Sequence, residues 1–291
     1  MTLDADTLAE SPPAAASIGA KNPILWQARL FYWSVRRELW EHRAIYIAPL
    51  AVAVLGLLGF LFGVSRLPHA VQMANVEAIA APYQFVAFAA LLTALAVSVL
   101  YCLGALYGER RDRSILFWKS LPVSDLTAVL AKAAVPMLVQ PVMLFVLVVT
   151  TQLLMLALSL AVVAGAGLDA GVFLAHTPVW RIWGLLAQGL PFIGVWYAPL
   201  YAWLLLVSSW APRTPSLWAL SPLALALFER LALGTHFIGS WIGLRLVGAF
   251  AGAVGKGDDI AWASPHVWTG VVLAAAFLAG VVWLRRLREP N

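Results

Sequence analysis

Uncharged apolar runs about as long as a bilayer is thick recur along this chain. That recurrence constrains the fold more than any motif does. Residues 44–64, 83–107, 133–168, 182–212, 214–228 and 267–284 contain no Asp, Glu, Lys or Arg. A helix rises about 1.5 Å per residue, so about 20 such residues cross a hydrocarbon core of about 30 Å. Lipid offers no partner for backbone N–H and C=O groups, so only helices or closed barrels cross it. Runs this continuous are helices, because barrel strands alternate apolar and polar residues. The composition agrees: 62% of residues are hydrophobic and 11% charged, against about 25% charge in a soluble domain.

The runs predict an all-α, polytopic membrane protein with six transmembrane helices. The spans fall at about 44–64, 83–107, 133–164, 186–208, 215–233 and 267–284. The third run exceeds what a bilayer needs, so its helix begins in water, and Pro136 and Pro141 can kink it. The fifth run is short and must continue through Glu229 and Arg230. An outer segment covers 234–266. Residues 1–22 are Ala/Pro/Ser-rich, have no basic residue before Lys21, and read as a disordered cytoplasmic tail ahead of a single domain, 23–291.

Basic residues orient the spans. With the N-terminus inside, one side holds Lys21, Arg29, Arg36, Arg37, Arg43, Arg110, Arg111, Arg113, Lys119, Lys132, Arg213, Arg285, Arg286 and Arg288. The other side holds Arg66, Arg181, Arg245 and Lys256. This bias puts both termini in the cytoplasm. The net charge of +5 is therefore a membrane signal, not a nucleic-acid one.

An N-terminal interfacial helix is predicted over 24–43. Trp26, Trp33 and Trp40 recur every seven residues, as do Arg29, Arg36 and Arg43. Phe31, Val35 and Leu39 form a second apolar patch, while Gln27, Ser34, Glu38 and Glu41 fall on another side. Tryptophan with arginine suits a helix lying at the headgroups.

The loop 108–130 carries the densest charge in the chain. Glu109 and Arg113 stand at i,i+4, the favourable order for a helical ion pair. Ile115, Leu116, Phe117 and Trp118 follow as an apolar cluster, and Leu121-Pro122 ends that helix. Ser124 is placed to cap the next helix, with Asp125 in its first turn. Aromatics among arginines are the anchor composition of a protein interface. A positive-inside loop with aromatics at the headgroups has the same composition.

The string GERRDRSILFWKSLPVSD at 108–125, followed by Val129-Leu130-Ala131-Lys132, resembles the cytoplasmic loop of bacterial ABC transporter permeases of the type-2 class. The commoner form has an acidic residue where this chain has Gly108. The resemblance extends to the layout over about residues 22–290. It implies a multi-pass permease subunit of the bacterial inner membrane that dimerises, with itself or a related permease. It also implies that the loop is a coupling helix seated on a separate ABC ATPase subunit, which holds the ATP and Mg. The docking candidates carried over are Glu109, Arg110, Arg111, Asp112, Arg113, Leu116, Phe117, Trp118 and Lys119. The expected function is ATP-driven export or translocation of a hydrophobic or amphipathic substrate.

Glu229 and Arg230 are candidates for a gate or substrate contact, since charges at membrane depth usually face a bundle interior or cavity. His69, His176, His236 and His266 lack paired ligand spacing, so no metal site is expected. The stretch 252–257, GAVGKG, lacks the spacing of a phosphate loop. No catalytic triad or carboxylate pair has motif spacing, so no enzymatic activity is expected of this chain. An ion-coupled secondary transporter and an intramembrane enzyme or sensor are the competing readings. The first would want several intramembrane acids and repeated broken helices. The second would want facing catalytic groups in several spans.

Overall fold

The computed structural model describes residues 23–112, 123–253, 262 and 264–287. Every regular element among them is helical. The predicted tail at 1–22, and Arg113, Leu116, Phe117, Trp118 and Lys119 of the loop, lie outside the described residues.

Helix α1 (Pro23–Glu41) precedes α2 (Ala44–Gly63). A 3₁₀ turn and α3 (Leu67–Gln72) lead to α4 (Val76–Arg111). The first run is thus matched closely, and the second is part of a helix of 36 residues. At about 1.5 Å per residue α4 is about 54 Å long, well beyond an about 30 Å hydrocarbon core.

Helix α5 (Asp125–Ala134) continues through a π turn (Val135–Val139) into α6 (Gln140–Gly165). The π turn contains Pro136 and ends two residues before Pro141. Pro136 and Pro141 lack the N–H groups that would bond Lys132 and Met137 carbonyls in an α-helix, and a π turn absorbs that mismatch. Gly194 packs against the turn so closely that a Cβ there would lie 2.5 Å from the Met137 carbonyl oxygen.

Beyond α7 (Ala170–His176) the fourth run forms two helices, α8 (Val179–Trp196) and α9 (Ala198–Trp210). They bend by 43° at their junction. Pro199, in the first turn of α9, cannot donate back to α8, which fixes the break there.

The fifth predicted span, 215–233, is not one helix. It consists of α10 (Pro215–Ala219), α11 (Ser221–Phe228) and a π turn (Glu229–Leu233). Pro222 starts α11 afresh, and Gly234, at φ +65°, ends the run in a left-handed conformation that glycine adopts without strain. The chain then reverses into α12 (Phe237–Ala253), which packs along α11. The absence of charge over 214–228 was a hydropathy signal only; it carried no information about these two breaks. Helix α13 (Pro265–Leu287) matches the last run.

Four helical segments are long and apolar enough to cross a membrane: Ala44–Gln72, Val76–Arg111, Asp125–Gly165 and Pro265–Leu287. The bent pair α7–α8 with α9 makes a fifth. The largest core cluster joins α2, α4, α5, α8, α9 and α13 through Ile45, Tyr101, Val129, Phe192, Tyr201 and Val281. A second cluster lies further along α4 and α6, around Phe60, Tyr83, Met155 and Phe173. Several polar groups in this apolar mass find partners. Tyr83 shares a 2.8 Å hydrogen bond with Ser159. Fully buried Gln152 donates to the Tyr83 carbonyl at 2.9 Å and accepts from Trp183 Nε1 at 2.7 Å. Such bonds between helices replace water that a lipid-facing bundle does not have.

Candidate functional site

The ends of α1, α4, α9 and α13 and the start of α5 meet at one end of the bundle. Seven charged side chains gather there. Lys132, only 1% exposed, donates to Glu38 Oε1 at 2.7 Å and lies 3.0 Å from Glu109 Oε1. Arg37 reaches Glu38 at 2.9 Å, Glu109 at 3.5 Å and Glu41 at 3.4 Å. Arg285 Nη1 donates to Glu109 Oε2 at 3.0 Å, and its Nε donates to Asp125 Oδ1 at 3.2 Å. The buried Tyr101 hydroxyl donates to Glu38 Oε2 at 3.0 Å.

The local sequence puts each group where it is needed. The sequence reading sets Glu38 on another side of α1 from Val35 and Leu39; in the structure the three share one face, and the two apolar residues pack on the main core. Glu38 is carried inward with them and is 1% exposed. Burial works against its charge. Lys132 and then Arg37 outweigh that penalty and hold its carboxyl below the ordinary carboxylate value. Glu41, at the exposed end of α1, has less cationic company, and its loss of solvation moves its carboxyl upward. Asp125 lies in the first turn of α5, where Ser124 caps the helix by accepting from Thr127 N–H at 3.1 Å, as the sequence predicts.

A second set of contacts fastens α4 to α9. Ser208 Oγ donates to the Leu103 carbonyl at 2.8 Å and accepts from Tyr107 N–H at 2.9 Å. Arg110 donates to the carbonyls of Ser208 at 2.8 Å and Ala211 at 2.7 Å. Tyr107 donates its hydroxyl proton to the Arg213 carbonyl at 2.7 Å. The last turns of α4 are thereby fixed on both sides.

The docking candidates that are described separate into two kinds. Glu109 is buried within the ion-pair network, and Arg110 is held by α9. Arg111 and Asp112 are exposed. On α1, Trp26, Trp33 and Trp40 all point outward, and Arg36 stacks between two of them, 5.0 Å from the Trp33 ring and 4.7 Å from the Trp40 ring. Arg29 and Arg43 are exposed.

Glu229 and Arg230 do not form a pair. Glu229 caps α12: Oε1 accepts from Thr235 Oγ1 at 2.8 Å and Phe237 N–H at 2.7 Å, and Oε2 accepts from Ile238 N–H at 2.8 Å. A carboxylate at a helix N-terminus satisfies amides that have no partner within the helix. Arg230 is exposed.

Glu38, Glu41 and His42 bring potential ligand atoms within 4.8 Å of one another. Glu38 already carries Lys132 and Arg37, whose charges repel a metal cation. The network joins α1, α4, α5 and α13 through ion pairs.

Glu38, Lys132, Arg285, Tyr101 and Ser208 escaped the sequence reading as site residues. Two had a detectable signal. Glu38 shares a face with Val35 and Leu39, and Lys132 lies within an otherwise apolar stretch of α5. Arg285 looked like one more basic residue at a membrane boundary. No family model, curated protein or solved structure matches the chain.

Proposed function

We propose that this protein is the membrane permease subunit of an ATP-driven ABC transporter of the type-2 class. A separate ATPase subunit docks on the loop 108–130 and supplies the nucleotide and magnesium; this chain performs no catalysis. In this reading the charged end faces the cytoplasm of a bacterial cell, and both termini lie there. Helix α1 rests at the headgroups of the inner membrane through its outward tryptophans and arginines. The broken segment 215–253 completes a sixth crossing, because the chain must return from the end of α9 to the start of α13. Two permease chains pair to enclose the route, and the cargo is hydrophobic or amphipathic.

The observation that carries the reading is the double hold of Arg285. It binds Glu109, near the start of the 108–130 segment, and Asp125, further along it at the start of α5. Lys132 extends the hold to Glu38 of α1. A loop tied at both ends into several helices transmits a push as rigid-body movement, whereas a loosely hung loop would absorb it. Exposed Arg111 and Asp112 begin the surface that meets the ATPase, and Phe117 and Trp118 anchor it.

The test is co-expression with the ABC ATPase encoded nearest to the gene, followed by purification in mild detergent. The two subunits are expected to co-purify. The Phe117→Ala/Trp118→Ala variant is expected to insert normally and lose the ATPase. Recovery of the permease alone from the wild-type co-expression, or full ATPase retention by the double variant, would overturn the assignment.

A further inference from the structure

Helices α2 and α4 touch closely at one level and then part. A Cβ on Gly56 would lie 2.7 Å from Val86 Cγ2, so the α2 backbone there rests directly on the Val86 side chain. A Cβ on Gly59 or Gly63, one and two turns further on, would meet nothing within 4 Å. The divergence leaves a groove of about 700 Å³ along α2, α3 and the first half of α4. That volume is typical of a small-molecule site. Leu55 and Phe85, both exposed, form its lips, and Gly59, Pro82 and Ala89 keep its floor shallow.

The lining is apolar except at one end, where Arg66 enters it. Among the described residues Arg66 forms no ion pair. Val52 to Gly63 spans 11 residue steps, about 16 Å of helix, close to the half-thickness of an about 30 Å hydrocarbon core. The groove is therefore one leaflet deep, with a cation at its rim, the level of the headgroups.

We propose that this groove is a binding site for an anionic phospholipid, with an acyl chain lying along Gly59 and Gly63 and the headgroup phosphate on Arg66. The length of the groove selects an acyl chain, and Arg66 selects the charge of the headgroup. The inference needs only that these helices lie in a bilayer, and it does not depend on the transporter assignment.

The full-length protein is delipidated in mild detergent and offered equal amounts of phosphatidylglycerol and phosphatidylcholine with identical chains. Bound lipid is then read by native mass spectrometry. Phosphatidylglycerol is expected to be retained about fivefold over phosphatidylcholine, the factor given by about 1 kcal/mol for one basic residue near anionic headgroups. Arg66→Gln is expected to bring that ratio to about one while leaving phosphatidylcholine bound. Gly59→Phe, which projects into open space, is expected to displace both lipids with unchanged helicity. If Gly59→Phe is not recovered folded, Gly63→Leu makes the same cut. Equal retention of the two lipids by the wild type, retention of neither, unchanged lipid in the groove-filling variant, or loss of a dimer in place of lipid would each overturn the proposal.

Discussion

Replacing Lys132 with Met tests whether the charged end is held together as described. The ammonium is 1% exposed and lies 2.7 and 3.0 Å from carboxylates on two different helices. Methionine keeps most of the volume, so packing changes little. The charge is lost, while Arg37, Arg285 and the Tyr101 hydroxyl still contact Glu38 and Glu109. Breaking a buried ion pair by removing one partner costs about 3–5 kcal/mol, because the remaining charge stays desolvated. Two carboxylates lose a partner here, so the upper part of that range is expected. By the scaling for chains of 150–250 residues this lowers the thermal midpoint by about 10 °C or more. The assay is thermal unfolding of the detergent-solubilised protein, followed by tryptophan fluorescence, at pH 7 and pH 5. Glu38 in the wild type is held below the ordinary carboxylate value. Its contribution is therefore present above that value and lost as pH falls through the lowered one. In Lys132→Met the burial penalty dominates, Glu38 takes up a proton at higher pH, and the deficit relative to wild type narrows at pH 5. The Lys132→Met/Glu38→Gln double variant is expected to recover about 2 kcal/mol of the loss, since it removes one stranded charge. An unchanged midpoint, or a deficit that widens at pH 5, would refute the reasoning.

Other perturbations address other parts of the molecule. Arg285→Met releases Glu109 and Asp125 together, and limited proteolysis within 113–122 is expected to accelerate several-fold without loss of the transmembrane helices. Gly194→Ala brings a Cβ to 2.5 Å from the Met137 carbonyl, a backbone atom that cannot swing aside; destabilisation by about 1–3 kcal/mol is expected. Gly184→Ala, which meets nothing within 4 Å, is the matched control in the same melting assay. Glu229→Ala removes the cap of α12 and is expected to cost about 0.5–2 kcal/mol, read as faster hydrogen exchange at Phe237 and Ile238.

The capping role of Glu229 shows what hydropathy leaves out about a polar residue in an apolar run. From sequence it is an acid at membrane depth and hence a candidate for gating. In three dimensions Gly234 turns the chain back so that the carboxylate meets the first amides of the next helix. A single glycine permits that reversal, and hydropathy does not register it. Arg110 is similar: its place in a basic loop suggested an outward surface, but α9 supplies two carbonyls that hold it.

The sequence by itself determined the helices long and apolar enough to cross a membrane that cover 44–64, 83–107, 133–164 and 267–284, the proline site of the π turn, and the Ser124 cap. Those features are local: lipid forces backbone hydrogen bonding within each segment, and a cap acts over three residues. Tertiary structure alone decided which charges meet. Glu38 and Lys132 are 94 residues apart in sequence, and Glu109 and Arg285 are 176 apart. Composition carries no distance between such groups; it is fixed only when apolar faces of α1, α4, α5 and α13 pack and draw their polar neighbours into contact.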